Sequence, residues 1–348
     1  MAAQKVIFHI GTTKTGTTSI QHSLVHNHSL FLDQFSLYVP RGDQLQEKML
    51  DKEKGGKIFV GGGNFERKII KAFKGKDIKT AESLLTHEFR QASLKGADTT
   101  IYSAEVLFGL GESVDACKSL YKTASQFFDQ VQLICCIRPP LDHTASQYSE
   151  YVKRRKEVRP LNDCLSSIFL NVGSRLQSFI QAFGSSNISI MSYEDPSHES
   201  IAKRFFSLVD RRIVDDSVLL AMIENMPRLN RSLSPLDCEA ARLFNQLQIN
   251  FDLRKSPFIY AYNSYLAKSK KNTLRAYHHL SESAFKKFGD LNSESLDVVN
   301  RVSDIAIPLA STRLREGMLG TSEQFSVEEQ AGIQEAVWHM LNELNATF

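Results

Sequence analysis

Short apolar runs at residues 6–10, 99–106, 131–137 and 188–193 alternate, over the first 200 residues, with segments whose apolar positions recur every three to four residues. The runs predict strands. The run at 131–137 is apolar for most of its length, as strands covered on both faces of a parallel sheet tend to be. The periodic segments predict helices. One carries Ile20, Leu24 and Val25; one or two more lie within 69–94. Ser113 reads as the N-cap of another, with Val114, Cys117, Leu120, Ala124 and Phe127 on its buried side, and Leu141, Ala145, Tyr148 and Val152 share one face of the next. Residues 26–40 read as a loop and short helix, and the polar, glycine-rich stretch 41–66 as an irregular loop, either a solvated linker or a lid near substrate. Beyond about residue 200 the pattern is helical only. Ser234-Pro235-Leu236-Asp237 and Ser326-Val327-Glu328-Glu329 are helix starts there. Alternation followed by helices predicts a three-layer α/β fold with a central parallel sheet and a helical C-terminal addition. The expected division is a core at 1–200 and a helical part at 201–348.

Composition narrows the class without naming a chemistry. At 348 residues, 42% hydrophobic and 23% charged, the chain has ample material for a core. A net charge of +3 is too small to argue for a nucleic-acid partner and leaves room for a local anion pocket. No apolar run is long enough to span a bilayer, and the first residues do not read as a signal peptide. The five cysteines form no CxxC pair and predict buried thiols in a reducing, cytoplasmic setting.

The stretch that carries chemistry is Gly11-Thr12-Thr13-Lys14-Thr15-Gly16-Thr17-Thr18, between the first strand and the first helix. A glycine-bounded loop in that position turns its N–H groups around an anion while the helix aims its positive end at the same place. A nucleoside-triphosphate loop has lysine directly after its second glycine. Here that place holds Thr17, and the cation sits inside the loop at Lys14. Three readings stay open on the residues alone: a threonine-rich turn, a kinase or NTPase-like phosphoryl transferase, and a non-catalytic nucleotide-binding module.

In open parallel sheets ligands bind beyond the carboxyl ends of the strands. Lys14, Glu105, Arg138 and Tyr193 all fall at or just past such ends, and Ser146 lies about two helical turns beyond Arg138. Glu105 reads either as a carboxylate capping the next turn or as a base raised by burial. His9 reads as a core histidine and His143 as surface or second to the site. His26-Asn27-His28 and His278-His279 read as exposed helix ends rather than metal ligands. Lys153-Arg154-Arg155-Lys156 reads as a solvated helix end or an attraction for an acidic acceptor.

HIGTTKTGTTSIQ resembles the 5′-phosphosulfate loop of sulfotransferases that use 3′-phosphoadenosine 5′-phosphosulfate (PAPS), especially the bacterial form. RPPLDHTASQY is similar to that family's 3′-phosphate motif, and ISIMSYED to the strand whose tyrosine lies near the adenine. The resemblance spans roughly the first 200 residues and implies a P-loop NTPase-like sulfotransferase fold. It implies that Lys14, Thr15, Gly16, Thr17 and Thr18 hold the 5′-phosphosulfate, that Arg138 and Ser146 hold the 3′-phosphate, and that Tyr193 lies by the adenine. It further implies transfer to a hydroxyl, favouring a glycan or glycolipid, with no metal required and with a glutamate or histidine as base. Glu105 is the preferred base, with His9 and His143 as the alternatives. A faint similarity at Arg315-Glu316-Gly317-Met318-Leu319-Gly320 puts glutamate where that family's loop has lysine.

Overall fold

The structure, a computed structural model, describes residues 3–12, 14–40, 63–65, 67–155, 157–168, 171–194, 199–224, 233–249, 280–311 and 325–345. The stretches 41–62, 278–279 and 312–320 of the sequence reading lie outside these residues.

Among the described residues five strands, β1 (Lys5–Gly11), β2 (Leu37–Tyr38), β3 (Thr99–Ser103), β4 (Gln130–Ile137) and β5 (Ile188–Ser192), form one sheet in the order β2-β3-β1-β4-β5. Every pairing is parallel. β1 is central, with His9 opposite Ser103 on one side and Gly11 opposite Cys136 on the other. From β1 the chain goes to β2 and β3 on one side and then to β4 and β5 on the other. The carboxyl end of β1 is therefore the switch point at which such sheets open a crevice.

Successive residues of β1 point to opposite faces. Ile7 packs with Ile20, Leu24, Ile101, Ile134 and Phe205 on one face. Phe8 packs against Phe89, Tyr102 and Phe183 on the other, with ring centroids 5.8–6.2 Å apart. Helices cover both faces. On the first lie α1 (Thr17–His26), α2 (His28–Phe35), α9 (Ile201–Val209), α10 (Arg211–Asp215) and α11 (Ser217–Glu224), which supply most of the rest of that core. On the second, α4 (Ile78–Ser93), which follows α3 (Arg67–Lys74), supplies Phe89, and α8 (Val172–Phe183), packed against α5 (Val114–Ala124), supplies Phe183.

By its internal contacts the chain divides into two interleaved units: Met1–Pro139 with Asn171–Leu229 and Glu294–Ile307, and Pro140–Leu170 with Asn230–Ser293 and Pro308–Phe348. The expected 1–200 and 201–348 segments each contribute to both. The first unit holds the sheet. The second is helical, built from α6 (Pro140–Arg155), α7 (Leu161–Cys164), α12 (Pro235–Ile249), the first part of α13 (Glu282–Val302) and α14 (Val327–Asn345). Leu141, Tyr148, Val152, Leu236, Phe288 and Met340 are among its buried residues. Its helix starts read as expected. Ser234 Oγ accepts from Asp237 N–H at 3.1 Å, and Ser326 and Glu329 cap each other.

Two points of the sequence reading are corrected here. β2 was not expected; two residues are too short to carry a period, and only pairing with Thr99 and Thr100 defines them. The strand expected at 99–106 ends at Ser103, and Glu105 opens a 3₁₀ helix, Glu105–Glu112, because Leu107 N–H turns back to Ala104 O at 3.2 Å. Of the one or two helices expected within 69–94 the structure has two, parted where Lys76 takes a φ of 60° and Asp77 caps α4 through Thr80 N–H.

Candidate active site

The loop after β1 is held in shape by its own groups. Thr12 N–H donates to Cys136 O at 3.1 Å, and Thr15 Oγ1 donates to Thr12 O at 2.6 Å. The Cys136 thiol donates to Thr15 O at 3.6 Å, and burial pushes its pKa up to about 12, so it stays a thiol at neutral pH. Lys14 and Gly16 take left-handed φ values of 68° and 72°. For Gly16 this is free; for Lys14 it costs about 1–2 kcal/mol. A methyl group at Gly16 would lie 2.9 Å from Tyr193 Cε2, so the Tyr193 ring packs directly on the loop.

Gly16 is also the N-cap of α1, and no side chain caps that helix. An uncapped helix start leaves N–H groups without partners inside the helix. The Thr17 hydroxyl donates to Glu105 Oε1. Burial raises the Glu105 pKa; the Thr17 hydrogen bond and the charge of Lys14 oppose the rise without cancelling it. Lys14, Thr17 and Glu105 thus meet at the ends of β1 and β3.

On the other side of the loop, Arg138 follows β4. Its Nη2 donates to Glu194 Oε1 at 2.7 Å, and its guanidinium lies 4.9 Å from the Tyr193 ring centroid. Its Nε is buried with no partner among the described residues, as is Thr12 Oγ1. Tyr193 is fixed through its backbone: its N–H donates to Ile137 O at 2.7 Å, and Arg204 donates to the carbonyls of Ser192 and Tyr193. Contacts therefore run without a break from Glu105 through Thr17, the loop and Tyr193 to Arg138, along the carboxyl edge of four adjacent strands.

Of the residues singled out in the sequence, Lys14, Thr15, Gly16, Thr17, Glu105, Arg138 and Tyr193 come together in this way. Thr18 is half-buried in the first turn of α1. Ser146 lies in the helical unit, buried on α6. His9 is in the core as expected, with Nδ1 2.7 Å from Ser103 Oγ but with Nε2 buried and unpartnered; burial pushes its pKa down to about 3. His143 is buried on α6 rather than at the surface, because it shares that helix's inner side with Ser146. His26 and His28 stand at helix ends as expected, but half-buried, and Asn27 between them is buried since its amide donates to Ser23 O. Among the described residues no group of three or more His, Cys, Asp or Glu side chains is placed to hold a metal.

Sequence reasoning missed Thr12, Glu194, Arg204 and Asn64. Asn64 ties the described end of the glycine-rich stretch to β3, donating to Ile101 O at 2.9 Å and accepting from Ser103 N–H at 2.6 Å, two residues before Glu105. Beside it Gly63 has a φ of 84° and no room for a Cβ, which would meet Ser103 O at 2.0 Å. Glu194 adjoins Tyr193 in a strand-end position, the signal that found Tyr193 itself. Arg204 and Asn64 carry no local signal.

No protein-family model matches the chain, and no curated protein matches it at a significant level. Among solved structures, a sulfotransferase from Alicyclobacillus acidocaldarius is similar over 87% of this chain and 98% of that one, at 11% identity and a TM-score of 0.34.

Proposed function

We propose that this chain is a sulfotransferase that moves the sulfuryl group of PAPS to a hydroxyl acceptor. The observation that carries the reading is the unbroken contact from the Lys14 loop through Tyr193 to Arg138. It gives one ligand two anion-holding ends on a single edge of the sheet. The residues present suit a doubly phosphorylated nucleotide: an uncapped helix start, a lysine inside the loop, and an arginine with a buried, unpartnered Nε. In the expected arrangement the loop and the first turn of α1 hold the 5′ end, Arg138 the 3′-phosphate, and Tyr193 the adenine.

Bound PAPS would supply an activated sulfuryl group on a phosphate leaving group. The protein's part is positioning and charge, as in phosphoryl transfer. The Lys14 ammonium neutralises charge that grows on the oxygen bridging to that phosphate, where preorganised electrostatics contributes most. Glu105 takes the acceptor's proton on its carboxylate. The raised pKa favours that step, because a base works best when its pKa approaches the working pH. His9 is poorly suited to the role, being fully buried and tied to Ser103. The acceptor class, a glycan or glycolipid hydroxyl, rests on the resemblance of the loop.

Labelled-sulfate transfer from PAPS to panels of sugars, lipids, phenols and peptides tests the activity. Lys14→Ala and Arg138→Ala should each lower turnover by about two orders of magnitude or more, as loss of a transition-state donor does. Calorimetry without metal should find tight binding of adenosine 3′,5′-bisphosphate. Preference for ATP–Mg²⁺ instead would overturn the reading in favour of a phosphoryl transferase, and binding with no transfer to any acceptor would leave a nucleotide-binding module.

A further inference from the structure

Arg138 is already engaged by an anion from its own chain. Nη2 and Nε form one edge of a guanidinium, and an oxyanion taking that edge uses both donors. Glu194 uses only one: its Oε1 accepts from Nη2 at 2.7 Å, while Nε stays buried and unpartnered. The side chains of Arg138 and Glu194 are 19% and 34% exposed, so the carboxylate reaches in from the wet side. The backbone beneath it is pinned. Tyr193 N–H is held by Ile137 O, Arg204 holds the carbonyls of Ser192 and Tyr193, and Ser192 Oγ donates to Glu194 O at 3.1 Å. The Glu194 side chain itself is joined, among the described residues, only to Arg138.

We propose that Glu194 is an internal competitor for the anion that Arg138 receives, and that it thereby keeps small free anions off the guanidinium. Taking that anion to be the 3′-phosphate rests on the function proposed above; the competition itself does not. A tethered carboxylate is present at an effective concentration of order millimolar, so a weakly held free anion must outcompete it. A nucleotide already anchored in the Lys14 loop has its own effective concentration at Arg138. It also brings a phosphate with charge near −2 and oxygens for both Nε and Nη2. The exchange therefore favours a ligand gripped at both ends. The displaced carboxylate enters water, which avoids the cost of a stranded buried charge. When product leaves, Glu194 returns to Arg138 and competes with rebinding.

The test is Glu194→Gln in the full chain, which keeps the side chain's shape and removes its charge. Calorimetry would use adenosine 3′,5′-bisphosphate, adenosine 5′-monophosphate and inorganic phosphate. The variant should bind the bisphosphate about tenfold more tightly, as removal of a tethered competitor implies, and release it more slowly. Inorganic phosphate should also bind more tightly, and the monophosphate should be unchanged. In an Arg138→Ala background the same substitution should have no effect. Weaker or unchanged binding of every anion by Glu194→Gln overturns the inference and makes Glu194 a support for Arg138. If wild type ignores the bisphosphate yet the variant gains affinity for phosphate, the competition stands and the nucleotide assignment falls.

Discussion

Two helices that follow neighbouring strands begin in opposite ways. α5 starts at Ser113, whose extended backbone lets its hydroxyl accept from Ala116 N–H at 3.2 Å, with Asp115 in the first turn. α1 starts at Gly16, left-handed, with no capping side chain and no acidic residue in its first turn. The difference is in where the free N–H groups go. At α5 the chain satisfies one of them, Ala116 N–H, with its own side chain, which contributes stability. At α1 the chain places Lys14 and a glycine where a capping carboxylate or hydroxyl would stand. Asp77, Asn171, Ser200 and Asp210 cap α4, α8, α9 and α10 as Ser113 caps α5, whereas α2 and α7 share with α1 a start that no side chain caps. An uncapped start alone is weak evidence of function. Its meaning here comes from the two cations and the buried carboxylate that reach it or its neighbour Tyr193.

The sharpest way to break this comparison is Glu105→Gln. If the start of α1 is a place of reaction, the variant should lose about 10²–10⁴ in kcat, the usual contribution of a general base, with little change in nucleotide affinity. The pH profile supplies the sign. Burial disfavours ionised Glu105, and the ionised form is the one that accepts a proton. Activity should therefore fall as pH drops through a pKa above the ordinary glutamate value of 4.5, and that limb should vanish in the variant. An unshifted acid limb in Glu105→Gln would return Glu105 to a structural role beside Thr17.

Gly16→Ala tests the loop more gently. The added methyl meets Tyr193 at 2.9 Å in a backbone region that side chains avoid, so loop and ring must separate. A misplacement of this size at a reacting centre costs on the order of 100-fold, so PAPS kcat/KM should fall by about that much. The stability cost should be about 1–2 kcal/mol, readable as a shift in urea midpoint. Equal loss at Gly96→Ala, where φ is 68° and the added methyl meets nothing within 4 Å, would mean that backbone strain rather than the Tyr193 contact is responsible.

What could be read in advance was local. The loop, Glu105, Arg138 and Tyr193 are found by residue type at a strand's end, and Ser113, Ser234 and Ser326 by the three-residue reach of a cap. The rest is written in pairings between distant residues. β2 is a strand only because Leu37 and Tyr38 lie beside Thr99 and Thr100. Glu194 meets Arg138 across 56 positions, and Asn64 meets Ser103 across 39. His143 is hidden by packing within a helical unit assembled from three separate stretches of chain, an arrangement that no periodicity announces. Local chemistry thus pointed to the candidate site, while its bracing and the carboxylate on Arg138 depended on tertiary structure.

The smallest expected effect lies at the other helix. Ser113→Ala removes the hydroxyl that accepts from Ala116 N–H and leaves that donor to water. Loss of such a cap costs about 1 kcal/mol. In a chain of 348 residues that is a fall in Tm of about 2 °C. Nucleotide affinity and kcat should not change, since Ser113 serves only the fold. If Ser113→Ala lowered PAPS turnover as much as Gly16→Ala, the division between a helix start that stabilises and one that binds would fail. The α5 start and the 3₁₀ segment running back to Glu105 would then have to count as part of the catalytic apparatus.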